Sequence, residues 1–549
     1  MAVGPNMTDY ERTRRTFRLD VPEHFNYARD VIDVRARRSP DRLALLAAGP
    51  DGAIAERLTF AGLARASNRV ANALVALGVR KSDAVFVMLP RVPEWHLALL
   101  GCIRLGAIPL PGTPLLTSRD IGYRIGKAEA SVVITDADGA VKVDEARDAC
   151  PSLRHSICVG GERPSGDWLD WAALMEPASG SAPDAEPTRS DDPMIVYFTS
   201  GTTGYPKMVL HTQASYGIGH EITARFWQDL HPTDLHWTFS DTGWAKAAWG
   251  LLFGQWRRGA GVFMWDARGK PDFERMLEML GRHGITTFCA PPTVFRAVVQ
   301  SDPLTVEAPS LRHVVSAGEP LNPEVMRRWS EATGRQIYDG YGQTETVNLV
   351  ANYRCLRVRE GSMGRPTPGF DVRVIDEGGA VLGPGEVGHI GVRIAPERPV
   401  GLFREYWRDP RATAESRIGD FYDTGDLARS DEDGYLWFEG RADDIITSSA
   451  YRIGPFEVES ALVEHRAVAE AAVVGKPDEL RGEIVKAFVA LKAGYEPSDD
   501  LSVELQEHVK RSTAPYKYPR EIEFVDELPK TVSGKIRRVE LRERGRRAA

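Results

Sequence analysis

Two rhythms of apolar and polar residues run along the chain. Short apolar runs at 84–88, 132–134, 194–198 and 262–264 have the length and continuity of buried strands, and 285–289 and 313–316 also read as strands. Between them, 60–77, 95–105, 273–280 and 323–333 repeat apolar residues at helical spacing. Gly106 stops the second of these, and Asn322 with Pro323 supplies a cap and first turn for the fourth. The alternation predicts two βαβ-type sheets with helices on both faces. From 364 to 392 the rhythm shortens to β segments broken by Gly and Pro, as in a small distorted β-barrel. Beyond Arg441 it changes again, with helical spacing at 455–465 and 501–510 and strand-like runs at 471–474 and 487–491. The predicted architecture is therefore α/β. A large N-terminal domain over 1–441 holds the two sheets and the barrel, and a compact α+β domain covers 442–549. Residues 1–40, polar but carrying Phe17, Phe25 and Tyr27, read as an arm wrapped on the large domain. Residues 161–193, rich in Pro, Ser, Gly, Asp and Glu, read as an exposed connection, and the basic stretch 537–549 as a frayed end.

Composition narrows the classes. A chain of 549 residues is too long for one core, in keeping with that division, and its 42% hydrophobic content is that of a folded protein. Lys and Arg number 69 against 77 Asp and Glu, a net charge of -8, which argues against nucleic-acid binding as its main business. The five cysteines (Cys102, Cys150, Cys158, Cys289, Cys355) form no CxxC pair and read as reduced core thiols. No run is long and apolar enough to span a bilayer. Residues 1–22 lack the apolar core of a secretory signal, so the expected location is the cytoplasm, with the mitochondrial matrix as the alternative in a eukaryote.

The chemistry begins after the apolar run 194–198, with Thr199, Ser200, Gly201, Thr202, Thr203, Gly204, Tyr205, Pro206 and Lys207. Glycines let a backbone approach a ligand closely. Backbone N–H groups, hydroxyls and one cation suit a polyphosphate. Two residues separate the glycines and Met208 follows the lysine, so this is not a Walker A loop. Further on, Asp339-Gly340-Tyr341-Gly342-Gln343-Thr344-Glu345 offers a flat ring for a purine, a hydroxyl, and in Glu345 a hard oxygen for Mg²⁺. Asp426 can accept from both hydroxyls of a ribose; Arg441 follows at a strand end, and Lys535 follows a glycine turn in Pro529-Lys530-Thr531-Val532-Ser533-Gly534-Lys535. Each has a bland alternative: a turn aspartate, a surface ion pair, one cation in a basic tail.

Together, in this order, these stretches resemble the adenylate-forming superfamily of acyl-CoA synthetases, adenylation domains and luciferases, over about residues 30–540. Ser240-Asp241-Thr242-Gly243-Trp244-Ala245-Lys246, Ser316-Ala317-Gly318-Glu319-Pro320 and Ala514-Pro515-Tyr516-Lys517-Tyr518-Pro519-Arg520 are most similar to the medium-chain acyl-CoA synthetases. The resemblance implies a two-step reaction. A carboxylate attacks the α-phosphate of ATP, giving acyl-AMP and pyrophosphate; the thiol of CoA then takes the acyl group and AMP leaves.

It also implies roles. Thr199 to Lys207 would hold the β- and γ-phosphates. Gly318, Glu319 and Pro320, with Asp339, Gly340 and Tyr341, would frame the adenine, and Gly342 and Gln343 complete that ATP-binding stretch. Thr344 would touch the α-phosphate and the substrate carboxylate, Glu345 would hold Mg²⁺, and Asp426 and Arg441 would take the ribose. Lys535 would bridge carboxylate and α-phosphate; its acetylation by a lysine acetyltransferase, reversed by a deacetylase, would remove that charge. Asp443 matches the hinge about which the mobile C-terminal domain rotates before the second step. Ser449, Ala450, Tyr451 and Arg452 would then meet the pantetheine arm and the AMP phosphate, Arg452 also bordering the acyl substrate, while Arg481, Lys510, Tyr518 and Arg520 match CoA-contacting positions.

One residue departs from the family pattern: Ala450 stands where Gly is usual, and its methyl group is expected to slow the thioester step without harming adenylation. Trp237, Trp244, Trp249 and Trp256 form an aromatic cluster that is either core or the wall of an apolar acyl tunnel, with Trp244 the first candidate for the latter. The function expected is an ATP-dependent ligase joining an apolar, medium-chain carboxylic acid to CoA. One rival is an adenylating enzyme that loads a carrier-protein thiol. Another is a non-catalytic acyl- or nucleotide-binding protein on the same fold, against which Lys535, Glu345 and Asp426 argue.

Overall fold

The structure, a computed structural model, describes residues 4–161, 166–199, 206–267, 269, 272–300, 304–448, 451–478, 481–530 and 536–547. The apolar runs become strands of two sheets. One has nine strands, in the order 365–366, 350–351, 337–341, 313–317, 287–290, 235–238, 261–265, 43–48 and 54–59. Its six middle strands are parallel, and antiparallel pairs close both edges. The other has five parallel strands, ordered 108–111, 84–88, 132–136, 155–159 and 168–170. Buried on both faces, their middle strands are largely apolar, and the polar side chains they do hold, such as His313 and Ser316, are buried against main-chain carbonyls.

The helices follow their local chemistry. Phe60–Ala76 starts where the Thr59 side chain accepts from the Gly62 amide, and Pro93–Leu105 stops at Gly106, whose φ of +74° is the left-handed cap. Pro323–Thr333 is capped by Asn322, as expected.

A three-stranded antiparallel sheet, Glu405–Tyr406, Lys207–Thr212 and Pro193–Thr199, packs beside the five-stranded one. A fourth sheet is antiparallel and joins Val372–Ile375, Val387–Arg393, Phe421–Ser430, Arg417–Ile418 and Leu436–Arg441. Register shifts near His389 and Leu427 break its ladder and bend it, so the barrel of the sequence reading is a short curled sheet. From Ile446 onward the strands build a sheet of their own, ordered 451–453, 446–448, 482–491 and 468–478, with Glu521–Phe524 added in parallel to 482–491.

The N-terminal arm is anchored by aromatic side chains. Tyr10 stacks on Tyr353 and donates to the carbonyl of Pro366 at 2.7 Å; Tyr27, fully buried, donates to the carbonyl of Phe253 at 2.7 Å. Two sequence readings need correction. The stretch 161–193 is not simply an exposed connection: it holds strand Trp168–Asp170 and helix Trp171–Met175, because both tryptophans are buried. The basic end is a helix, Arg538–Arg547, pinned by buried Leu541 and by ion pairs of Arg538 with Glu459 (2.7 Å) and of Arg542 with Asp444. All five cysteines are free thiols, four of them buried.

Candidate functional site

The parallel strands His313–Ala317 and Ile337–Tyr341 end side by side, and at their carboxyl ends begin the two segments singled out in the sequence. Gly318 leaves the first strand at φ +107°, a conformation L side chains rarely adopt. Glu319 turns its carboxylate toward Thr293 and Arg296, both at 2.6 Å. The Lys246 ammonium donates to the Ala317 carbonyl at 2.5 Å, just before that turn. Asp339 is buried and its carboxyl is held well above the usual carboxylate range by burial, against the pull of the Gly340 amide and Lys246.

A polar chain links the second segment to the curled sheet. The Tyr341 hydroxyl donates to Asp426 Oδ2 at 2.6 Å, and Gln343 Nε2 donates to the same oxygen at 2.7 Å. Gln343 Oε1 accepts from the Tyr422 hydroxyl at 3.0 Å. Asp426 and Arg441 are register partners on adjacent strands, which places the Arg441 guanidinium 3.4 Å from Asp426 Oδ1 and 3.4 Å from the exposed Asp443. Desolvation lowers the Arg441 pKa, yet Asp426 and Asp443 outweigh it and hold the group above the ordinary value. Asp426, Arg441, Tyr341 and Gln343, from three separate stretches, thus meet at one place.

Thr344 and Glu345 sit at its inner end. The Thr344 carbonyl accepts from both His211 Nε2 and the Tyr216 hydroxyl, each at 2.8 Å. His211 then takes the Ser215 hydroxyl on Nδ1 at 3.0 Å, and burial pushes its pKa down to about 3, so the ring is neutral. Glu345 is buried, its Oε1 accepting from the Tyr406 hydroxyl at 2.8 Å; burial raises its pKa, with the Tyr406 hydrogen bond pulling the other way. The Lys207 ammonium lies 4.7 Å from the centre of the Tyr406 ring. Lys207 is the register partner of Thr199, so the two strands that flank the glycine stretch in sequence are paired at these residues. Ser200, Gly201, Thr202, Thr203 and Gly204 lie outside the described residues, as do Ser449, Ala450 and Lys535.

Of the four clustered tryptophans, two are plain core. Trp256 donates to the Ala44 carbonyl at 2.8 Å, and Trp237 packs on Phe263 and Phe288. Trp244 precedes the helix Ala245–Leu251 as its cap residue and is half-buried. Trp249, on that helix, is the one whose ring meets Gly342. Beside the C-terminal sheet, Lys510 of the helix Asp499–Ser512 (4.2 Å) and Arg520 (4.9 Å) both approach the Tyr518 ring, and Arg520 also donates to its hydroxyl. Tyr451 is exposed and stacked on Tyr516 at 4.1 Å, with Arg452 beside it in the strand Tyr451–Ile453; Arg481 sits exposed at the turn after Asp478.

His211, Tyr216, Trp249 and Tyr406 were not chosen from the sequence as site residues. Trp249 stood in the aromatic cluster, and the other three carry no local signal: they reach the site through tertiary contact alone. Among the described residues no group of three or more His, Cys, Asp or Glu could cage a metal by itself. No helix of the described residues is long and apolar enough to cross a membrane.

Comparison with known proteins follows this geometry. Residues 32–407 match the model of the AMP-binding enzyme family, and 457–535 that of the AMP-binding enzyme C-terminal domain. The mitochondrial acyl-coenzyme A synthetase ACSM3 of Mus musculus is 47% identical over 99% of this chain and 94% of its own length. The human mitochondrial acyl-coenzyme A synthetase ACSM5 is 46% identical over 95% of this chain and 91% of its own. Among solved structures, an anthranilate CoA ligase in complex with anthranoyl-AMP superposes with a TM-score of 0.88 at 30% identity, covering 96% of this chain and 99% of that one. An acyl-CoA synthetase of Brucella canis gives 0.75 at 36% identity, covering 98% and 99%.

Proposed function

The chain belongs to the AMP-binding enzyme family, and from that membership we propose that it is an AMP-forming acid–thiol ligase of the medium-chain acyl-CoA synthetase group. It activates an apolar carboxylic acid with ATP as acyl-AMP, releasing pyrophosphate, and then transfers the acyl group to CoA, releasing AMP. The observation that carries the reading is the meeting of Tyr341, Gln343 and Arg441 on the Asp426 carboxylate, at the carboxyl ends of parallel strands and beside Thr344 and Glu345. A carboxylate presented there suits the two hydroxyls of a ribose, and the work of such a site is positioning and charge neutralisation.

In this reading Lys207 and the glycine loop take the β- and γ-phosphates. Thr344 faces the α-phosphate and the substrate carboxylate, its main chain steadied by His211 and Tyr216. Lys535 offsets the charge that builds as the carboxylate attacks. Mg²⁺ fits Glu345: Mg²⁺ is commonly held by one or two carboxylates together with substrate phosphates, and Glu345 offers one buried carboxylate with one oxygen already oriented. When bound, Mg²⁺ neutralises phosphate charge. The apolar acyl group lies along Trp249 and Trp244. CoA rather than a carrier protein is favoured by Lys510 and Arg520 gathered on Tyr518, a cationic patch suited to the CoA phosphates.

The division at 441/442, with a C-terminal domain moving about Asp443, belongs to the same proposal and is supported by the separate sheet that begins at Ile446. So does a cytoplasmic location; the relatives named above are mitochondrial, so fractionation of the source cells decides between the two. Acetylation of Lys535 as a control is checked by mass spectrometry of native protein. The function itself is tested with a panel of straight-chain, branched and aromatic acids. Acid-dependent pyrophosphate release with AMP release only on adding CoA is expected; AMP release indifferent to CoA would sink the ligase assignment.

A further inference from the structure

Tyr406 belongs to none of the motifs, yet it touches both sides of the site. It ends the two-residue strand Glu405–Tyr406, is buried, and pairs with Val209 of the strand that begins at Lys207. The main chain on either side is fastened to that strand, Arg404 N donating to the Leu210 carbonyl at 2.8 Å and Trp407 N to the Met208 carbonyl at 2.7 Å. Phe403 N donates to the Glu345 carbonyl at 2.7 Å. The segment is therefore sewn to the Lys207 strand and to Glu345 at once. From it the Tyr406 hydroxyl reaches Glu345 Oε1 at 2.8 Å, while the Lys207 ammonium stands 4.7 Å from the ring centre.

We propose that Tyr406 is a positioning residue for ATP and its divalent cation: the hydroxyl fixes which oxygen of Glu345 faces the metal, and the ring holds the Lys207 ammonium in line with the phosphates. The inference rests on the ATP-site reading above. A carboxylate has two oxygens and a rotatable end; the hydroxyl donated to Oε1, together with the residue's own amide, restrains the group from turning and would leave its other oxygen to hold the cation. Loss of a residue that orients a ligating group typically costs about 10–100-fold in metal affinity. An ammonium attracted to a ring face keeps its charge and its donors for an anion on the far side. One side chain thereby sets the distance between two groups, one on the strand Lys207–Thr212 and one in the turn after Ile337–Tyr341.

Substitution separates the two halves. Tyr406→Phe keeps the ring and removes the hydroxyl; Tyr406→Leu removes both. Mn²⁺ binding to the enzyme with saturating ATP and no acid is followed by the paramagnetic resonance of free Mn²⁺. ATP binding without metal is followed by calorimetry in EDTA. Tyr406→Phe is expected to weaken Mn²⁺ about 10–100-fold and to leave metal-free ATP binding as in the wild type. Tyr406→Leu is expected to weaken both. Tyr406→Phe added to Glu345→Gln is expected to cost little more than Glu345→Gln alone, since the hydroxyl acts through that carboxylate. Wild-type Mn²⁺ affinity in Tyr406→Phe overturns the proposal, as does full additivity with Glu345→Gln. A merely structural role would lower melting temperature and metal-free ATP binding together in the Phe variant, and that result also overturns it. Failure of the wild type to bind ATP at all would sink the ATP-site reading instead, so the two failures are distinct.

Discussion

The indole of Trp249 lies against the main chain of Gly342: a Cβ at 342 would fall 2.4 Å from the ring's Cη2 and 2.7 Å from the carbonyl oxygen of Val347. The ring is hemmed by Trp227 and His220, so it has little room to withdraw. Gly342→Ala is therefore expected to destabilise the fold by about 1–3 kcal/mol and to reduce acid activation, read as denaturant midpoint and acid-dependent pyrophosphate release. The double variant Gly342→Ala/Trp249→Leu should recover only the part of the loss owed to the ring, since the Val347 carbonyl contact remains, and should shift preference toward bulkier acids. Wild-type behaviour of Gly342→Ala would show that the ring yields freely.

Loss of the Asp426 carboxylate should be felt through the ribose. Asp426→Asn keeps the size of the group but weakens acceptance from Tyr341, Gln343 and two ribose hydroxyls. A fall of roughly 10–100-fold in kcat/KM for ATP is expected, on the scale of 1–3 kcal/mol for charge-assisted hydrogen bonds. The fall should be smaller for 2′-deoxy-ATP, and steady-state kinetics with both nucleotides checks it. Equal losses for the two would place the carboxylate elsewhere.

Acid sensitivity follows from buried imidazoles. Burial pushes the pKa of His96 and His313 down to about 4 and that of His211 and His236 to about 3. The unfolded chain takes up these protons near pH 6.5. The folded state refuses them, so the unfolded state binds more protons and stability falls as pH drops from about 6.5 toward the folded values. Each such histidine contributes a slope of up to about 1.4 kcal/mol per pH unit in that window. Urea midpoints at pH 7.5, 6 and 5 should show the decline, and it should be shallower in His96→Gln.

Position 450 carries the sharpest expectation from sequence alone, since it lies outside the described residues. Ala450→Gly should speed CoA-dependent breakdown of preformed acyl-AMP and leave pyrophosphate exchange unchanged. Rapid-quench measurement of the two half-reactions decides it; equal thioester rates would remove the methyl group from the account.

Much of the large domain was legible because 84–88 and 194–198 are buried along their length and hold no charged residue to blur the pattern, while 313–316 showed through only by its central Val314 and Val315. The Asp339–Glu345 stretch was legible because several unusual residue types sit together. Tyr406 was not, since a two-residue strand has no period and an isolated tyrosine is ordinary until Glu345 is seen 2.8 Å away. His211 and Tyr216 were hidden for the same reason, their shared target being a main-chain carbonyl that any residue could supply. Trp168 and Trp171 hid among polar neighbours, and the final helix hid behind its charge, with Leu541 its one buried apolar side chain among the described residues.

The arm that ties Tyr10 to Pro366 bears on how the molecule is made. The two groups are 356 residues apart, so the tyrosine leaves the ribosome long before its acceptor exists. At about 5–20 residues per second the wait is about 20–70 s. Tyr27 waits less for Phe253, 226 residues on, so the arm must zip from its inner end outward as synthesis proceeds. A segment translated well before its acceptor takes this bond only once Pro366 has emerged, and until then the Tyr10 hydroxyl lacks that partner.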